Sequence, residues 1–350
     1  MRNRLRLAVG VLFSLLFLYL AMRNIQWREL GELFRQANYL YLIPGFLIIL
    51  FTGLARAYRW RALVYPHEHL PLSKLFHIVN IGYFFNNIFP AKAGELVRAY
   101  LVGRMLPGGI GQSLSTLLIE RLLDVLCVVA LSVLLVPWLA WQRVPMPDWA
   151  LKGALLFGVG ASVGTVTLLI LSRLGDRGVE WLWRWVGRIP AVGSPKVKAA
   201  LRNLLRGFGV LLVGRQLPGI LLGSVALWFG YGLLNYMILA TFGMTALPSS
   251  ASALVLCATG YSMVLPSSPG AVGPFEWATK TALLAYGVAD SQAVGYAFGL
   301  HLFTNIVLII LGLLGLFVEG LSYADIRRSV ADIPAAPRAA DAGLPGDPQS

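Results

Sequence analysis

Six stretches of this chain stay apolar for close to the roughly 20 residues a helix needs to cross a bilayer. They are Leu7 to Met22, Tyr39 to Ala55, Ser113 to Val136, Ala150 to Leu171, Leu217 to Phe242 and Ala293 to Val318. That much apolar surface has no home except lipid. Of the 350 residues 57% are hydrophobic and 13% charged, with a mean hydropathy of +0.70, whereas a soluble protein carries about 25% charged residues. The expected fold class is an all-α integral membrane protein, which excludes the soluble enzymes. A formal net charge of +13 then reads as loop charge under the positive-inside rule, and no nucleic-acid partner is expected. Cys127 and Cys257 each sit in an apolar run without a CxxC neighbour. They predict neither a disulfide framework nor a metal site.

The charges between spans set an orientation. Arg2, Arg4 and Arg6 precede the first span, which reads as a retained signal anchor. Arg56, Arg59 and Arg61 close the second, and Arg59, Trp60 and Arg61 read as an interface anchor. Trp27, Leu30, Leu33 and Phe34 recur at helical spacing in the connector before it, which predicts a helix lying in the interface. Residues 173–215 hold nine Lys/Arg against Asp176 and Glu180, so this loop is assigned to the cytoplasm, with Trp181 and Trp185 as headgroup contacts. Both termini then fall inside, and residues 1–320 form one polytopic domain. The tail 331–350, rich in Ala, Pro, Gly and Asp, is expected to be disordered.

Two apolar segments cannot be ordinary spans. Residues 77–104 carry Asn86, Asn87, Pro90, Lys92, Gly94, Glu95 and Arg98; residues 253–286 carry Pro266, Pro269, Gly270, Gly273, Pro274 and Glu276. Pro and Gly so placed break a helix. In the topology above each becomes a re-entrant hairpin, the two entering from opposite sides, with an inverted repeat as one reading of the match between Pro90 to Glu95 and Pro269 to Glu276. Broken segments of this kind point to a transporter's binding site, because irregular backbone at membrane depth must line a cavity or be buried in protein.

Ionisable groups in the spans are costly and face a cavity or each other. The candidates are Lys92, Glu95, Arg98, Glu120, Arg121, Asp124, Glu276 and His301. Spacing of three pairs Glu95 with Arg98 and Arg121 with Asp124 on one helix face, which gives each pair a purely structural alternative. Helices starting near Gly94 and Pro274 would aim backbone N–H groups at an anionic headgroup, aided by Lys92 and Arg98. Asn86 and Asn87 add hydrogen-bonding capacity. No GxxxxGK[ST] or HExxH occurs, so ATP hydrolysis is not expected.

The run NNIFPAKAGELVRAYLVGR, then IERLLDVL, then LPSSPGAVGPFEW with a late His, resembles the flippase-like family named after the transmembrane region of lysylphosphatidylglycerol synthase. The resemblance runs from about Leu5 to Val318. In the two-part synthase this region moves an aminoacylated lipid between leaflets while a soluble domain makes it; the chain ends soon after its last span, so aminoacylation is not expected here. The matching positions are Asn86, Asn87, Pro90, Gly94, Glu95, Arg98, Glu120, Arg121, Asp124, Pro269, Gly270, Gly273 and Glu276. The resemblance implies a lipid translocase of the bacterial inner membrane, not an enzyme, with no cofactor. Its partners would be membrane lipids of phospholipid, polyprenyl or hopanoid type, and a homo-oligomer stays open. Two alternatives compete. One is a membrane-embedded polyprenyl-diphosphate phosphatase using Ser267 and Ser268 beside Pro269, although residues 262–275 contain no Arg for the phosphate. The other is a non-transporting scaffold of a lipid pathway.

Overall fold

A computed structural model describes residues 2–64, 70–89, 93–145, 148–188, 197–198, 201–202, 205, 214–263, 269–322 and 326. Pro90, Lys92, Pro266, Ser267, Ser268 and the tail 331–350 lie outside the described residues. Among the described residues twelve helices follow one another: α1 Arg2–Met22, α2 Trp27–Gln36, α3 Leu42–Leu63, α4 Leu72–Ile88, α5 Ala93–Gly103, α6 Gly109–Trp141, α7 Asp148–Arg173, α8 Asp176–Val186, α9 Leu217–Thr241, α10 Ser249–Ser262, α11 Pro274–Leu284 and α12 Asp290–Val318. Single 3-10 turns occupy Tyr39–Tyr41 and Pro269–Ala271. No strand occurs among the described residues. Among the described residues four helical segments are long and apolar enough to span a membrane: Tyr39–Leu63, α6, α9 and α12. The apolar parts of α1 and α7 among the described residues, Leu12–Met22 and Ser162–Arg173, are shorter.

Among the helices given above, element order repeats. A long helix, a short amphipathic one, a long one, two short helices and a final long one make up α1 to α6, and again α7 to α12. The short second member, α2 or α8, carries apolar residues on one face and charge on the other, the pattern of a helix lying at an interface. In α8 both acids are paired, Glu180 with Lys198 at 2.6 Å and Asp176 with Arg202 at 3.0 Å, while Trp181 and Trp185 stay exposed.

The two halves interlock. α3 packs along α9, and each half's hairpin packs on the last helix of the other: α4 on α12, α10 on α6. α1 crosses over to lie on α11, where a side chain at Gly273 would collide with the Ser14 carbonyl. Lys280 of α11 donates to the carbonyls of Ala21 (3.1 Å) and Arg23 (2.9 Å) and pairs with Asp290. At the α4–α12 crossing, Gly312 rests on Asn80 and Phe84, and beyond it His77 meets Glu319 at 2.8 Å. The two largest apolar clusters among the described residues form around Trp60, Ile78, Val97 and Ile119, and around Ile49, Ile238, Val255 and Tyr296.

Candidate functional site

The first broken segment folds as α4 and α5. Phe89 is extended, and Asn86 turns back so that its Oδ1 accepts the Gly94 N–H at 2.8 Å. Close approach is possible because both helices carry glycine at the crossing: a methyl at Gly94 would overlap the Gly82 carbonyl, and one at Gly82 would strike the Arg98 side chain. The Asn86 cap also corrects one expectation. The Gly94 N–H is not free at the tip but satisfied inside the hairpin.

Held this way, α5 sends Arg98 into a charged cluster with α3 and α6. Arg98 Nη2 donates to Glu120 Oε2 at 2.7 Å, and its guanidinium lies 4.2 Å from the Trp60 ring centroid. Arg56 donates to Glu120, to Asp124 (3.2 Å) and to Tyr231 of α9 (3.0 Å); Arg59 donates to Asp124 at 2.6 Å. Arg121 closes the outer edge, with Nε 3.0 Å from Glu95 Oε1 and Nη1 3.3 Å from Asp124 Oδ2.

Two sequence expectations fail here. Glu95 does not pair with Arg98: Arg98 lies inward, 2% exposed, where Glu120 is fully buried, and Glu95 stays on the rim with Arg121. Arg59 and Trp60 are not an interface anchor. Both are completely buried, because α3 runs past Ala55 to Leu63 and carries them into the core. Sequence reading thus missed Arg56 and Arg59; their i, i+3 spacing amid Ala55, Ala57 and Ala62 was the available signal. Arg121 does pair with Asp124, as its spacing predicts, but shares it with Arg56 and Arg59.

Burying ions costs several kcal/mol each unless partners are well placed. In this cluster four guanidinium groups face three carboxylates, leaving one positive charge in excess, and the Nε atoms of Arg56, Arg59 and Arg98 are buried without an acceptor among the described residues. The side chains of Arg56, Arg59, Arg98 and Glu120 are at most 5% exposed, against 36% for Arg121 and 27% for Glu95. A positively charged core with one open edge suits an anion arriving at Arg121. Nearby on α4, the buried Nδ2 of Asn87 has no partner among the described residues.

The second broken segment makes a different site. α10 ends at Ser262, the turn Pro269–Ala271 contains Gly270 at φ 71°, and Gly273 at φ 97° leads into α11. Both glycines adopt left-handed backbone that a side chain would strain. Glu276 reaches back to the Gly273 N–H at 2.6 Å, a capping arrangement that again satisfies the tip internally. Its other oxygen lies 2.5 Å from His301 Nδ1 of α12, and His301 Nε2 lies 2.7 Å from the Gly270 carbonyl. Phe275 stacks on the imidazole at 4.4 Å. Glu276 and Glu95 therefore do not meet, one going to His301 and the other to Arg121. The hairpins themselves do touch, since the Pro269–Ala271 turn packs on α4.

Residues 7–312 match the family described as the lysylphosphatidylglycerol synthase TM region, and the chain belongs to that family. It is also 27% identical over 117 residues to a protein of Methanocaldococcus jannaschii described as a UPF0104 membrane protein. That match covers 33% of this chain and 35% of the relative.

Proposed function

We propose that the chain moves a lipid with an anionic headgroup between the leaflets of a bacterial inner membrane, both termini facing the cytoplasm. The observation that carries this reading is the buried cluster of α3, α5 and α6, with its excess positive charge and its open edge at Arg121 and Glu95. Its depth fits: by a rise of 1.5 Å per residue, Arg56 lies about 10 Å from the end of α3 and Glu120 about 17 Å from the start of α6. A headgroup crossing hydrocarbon unaided loses several kcal/mol for each unpaired polar group. A guanidinium edge inside the bilayer removes part of that barrier while the acyl chains stay in lipid.

In this topology α1, α3, α6, α7, α9 and α12 cross, and the pairs α4/α5 and α10/α11 are re-entrant from opposite faces. At 11 residues, α5 and α11 are each about 16 Å long, half a hydrocarbon core. The repeat of element order supports an inverted pair. The chain acts as a transporter and not as an enzyme, and the loop of residues 173–215 lies on the cytoplasmic side.

The test is leaflet exchange of labelled phosphatidylglycerol in vesicles holding the purified protein. Wild type should accelerate exchange, and Arg121→Gln, which removes the edge charge without unpairing Glu120 from Arg98, should slow it. Equal rates for the two would sink the reading.

A further inference from the structure

His301 has acceptors on both sides. The Gly270 carbonyl can only accept, so Nε2 carries a hydrogen and donates to it. Facing Nδ1 is a carboxylate oxygen of Glu276, whose other oxygen already accepts the Gly273 N–H. A hydrogen bond between Nδ1 and Oε1 therefore needs one more proton, whether drawn as imidazolium with carboxylate or as imidazole with carboxylic acid. Both drawings are neutral overall, which suits a pair whose side chains are 10% and 1% exposed and lie under the Phe275 ring. Without that proton a lone pair faces a carboxylate, and the contact turns repulsive.

We propose that Glu276 and His301 form a proton-binding latch: one proton between Oε1 and Nδ1 ties the break of the second hairpin to α12, and its departure frees the hairpin. The proton leaves to water, and neutral imidazole and carboxylate remain. Three points of the break are tied through this pair: the Gly270 carbonyl, the Gly273 N–H and the first turn of α11. The proton is thus a ligand of the hairpin, not of a surface residue.

No other ionisable side chain is drawn to the pair among the described residues. On α11 Lys280 is committed to Asp290 and to the carbonyls of Ala21 and Arg23. On α4, Lys74 and His77 go to Glu319, beyond the far end of α12. Arg28 and Glu32 of α2 pair on the exposed surface, Arg56 and Arg59 of α3 join the Glu120 cluster, and Tyr231 of α9 accepts from Arg56. On α12 itself Tyr296 donates to the Asn235 carbonyl, and Tyr19 of α1 is exposed.

Substitutions at the two positions should act oppositely. In Glu276→Gln the amide N–H can donate to Nδ1 while the amide oxygen keeps the Gly273 N–H, so the latch stays closed with no proton to lose. His301→Gln removes the ring that spans Glu276 and Gly270, and leaves it open. The experiment uses the full chain in phosphatidylcholine/phosphatidylglycerol vesicles, with Val272→Cys as reporter and Cys127 and Cys257 replaced by Ala. Maleimide labelling rates are taken as ratios to the His301→Gln background at each pH, which cancels ionisation of the reporter thiol. The expected result is a ratio severalfold below one at low pH, rising towards one as pH rises, with Glu276→Gln low throughout. A ratio that does not change with pH, or Glu276→Gln labelling as fast as His301→Gln, would overturn the latch.

Coupling of the latch to lipid movement rests on the translocase reading, and phosphatidylglycerol exchange in the same vesicles separates the two. A pH-dependent ratio without exchange keeps the latch and removes the translocase. Exchange with a flat ratio does the reverse.

Discussion

Arg56 and Tyr231 are each the fifteenth residue of their helix, α3 and α9, and they touch: Arg56 Nη2 donates to Tyr231 Oη at 3.0 Å. Corresponding positions elsewhere carry the functional groups of both halves. Glu95 and Glu276 are each third in α5 and α11, and Glu120 and His301 are each twelfth in α6 and α12. The same scaffold thus holds a multi-arginine cluster in one half and a carboxylate–imidazole pair in the other. In the proposed function, that division separates anion attraction from proton handling.

Glu120 is the keystone of the cluster, so its loss leaves several buried guanidinium groups short of a partner. Breaking a buried ion pair from one side costs about 3–5 kcal/mol. Glu120→Ala should therefore lower stability far more than Arg121→Gln, whose side chain is partly exposed. Unfolding midpoints in detergent, measured for both variants, check the order.

Headgroup charge gives a second expectation. If Arg121 meets the lipid, Arg121→Gln should slow exchange of phosphatidylglycerol more than exchange of phosphatidylcholine, and raised salt should weaken the wild-type preference at this open edge. Identical slowing of both lipids would point to a structural role for the arginine.

Glycine spacing in the first hairpin is testable without any substrate. Gly94→Ala forces a methyl into the Gly82 carbonyl, which means backbone must move. Gly160→Ala on α7 meets nothing within 4 Å and gains helix propensity of about 1 kcal/mol. Thermal unfolding should show the first variant strongly destabilised and the second unchanged or more stable.

Lys280 fixes the end of α1 to α11. Replacing it with Met keeps the aliphatic stem but leaves the Ala21 and Arg23 carbonyls and Asp290 without their cation. Limited proteolysis between residues 22 and 27 should speed up in Lys280→Met and stay slow in wild type.

Much of this was readable beforehand, and the misses have physical causes. The breaks near Pro90 and between Ser262 and Pro274 follow from backbone chemistry that is local to the sequence. Buried Glu120 and half-buried Asp124 stand out as charges in an apolar run. Arg56 and Arg59 do not, because loop arginines and core arginines look alike when the helix end is judged by hydropathy alone; no breaker separates Ala55 from Leu63, and that continuity carries both inward. Spacing pairs Glu95 with Arg98, but spacing within one helix cannot report Arg121 arriving at Glu95 from α6, nor Glu120 arriving at Arg98. The tie between His301 and Gly270 involves a backbone carbonyl, which no pattern of side chains announces.

The packing of α4 against α12 also sets a timetable. Translation runs at about 5–20 residues per second, so the first hairpin waits on the order of 10–40 s for the last helix to be made. During that interval the arginines of α3 and α5 can find Glu120, but the seam that α12 later fills stays open to lipid. α11, by contrast, emerges with its partner α1 already made. The second half should therefore lock as it is synthesised, and the first only once the chain is nearly complete.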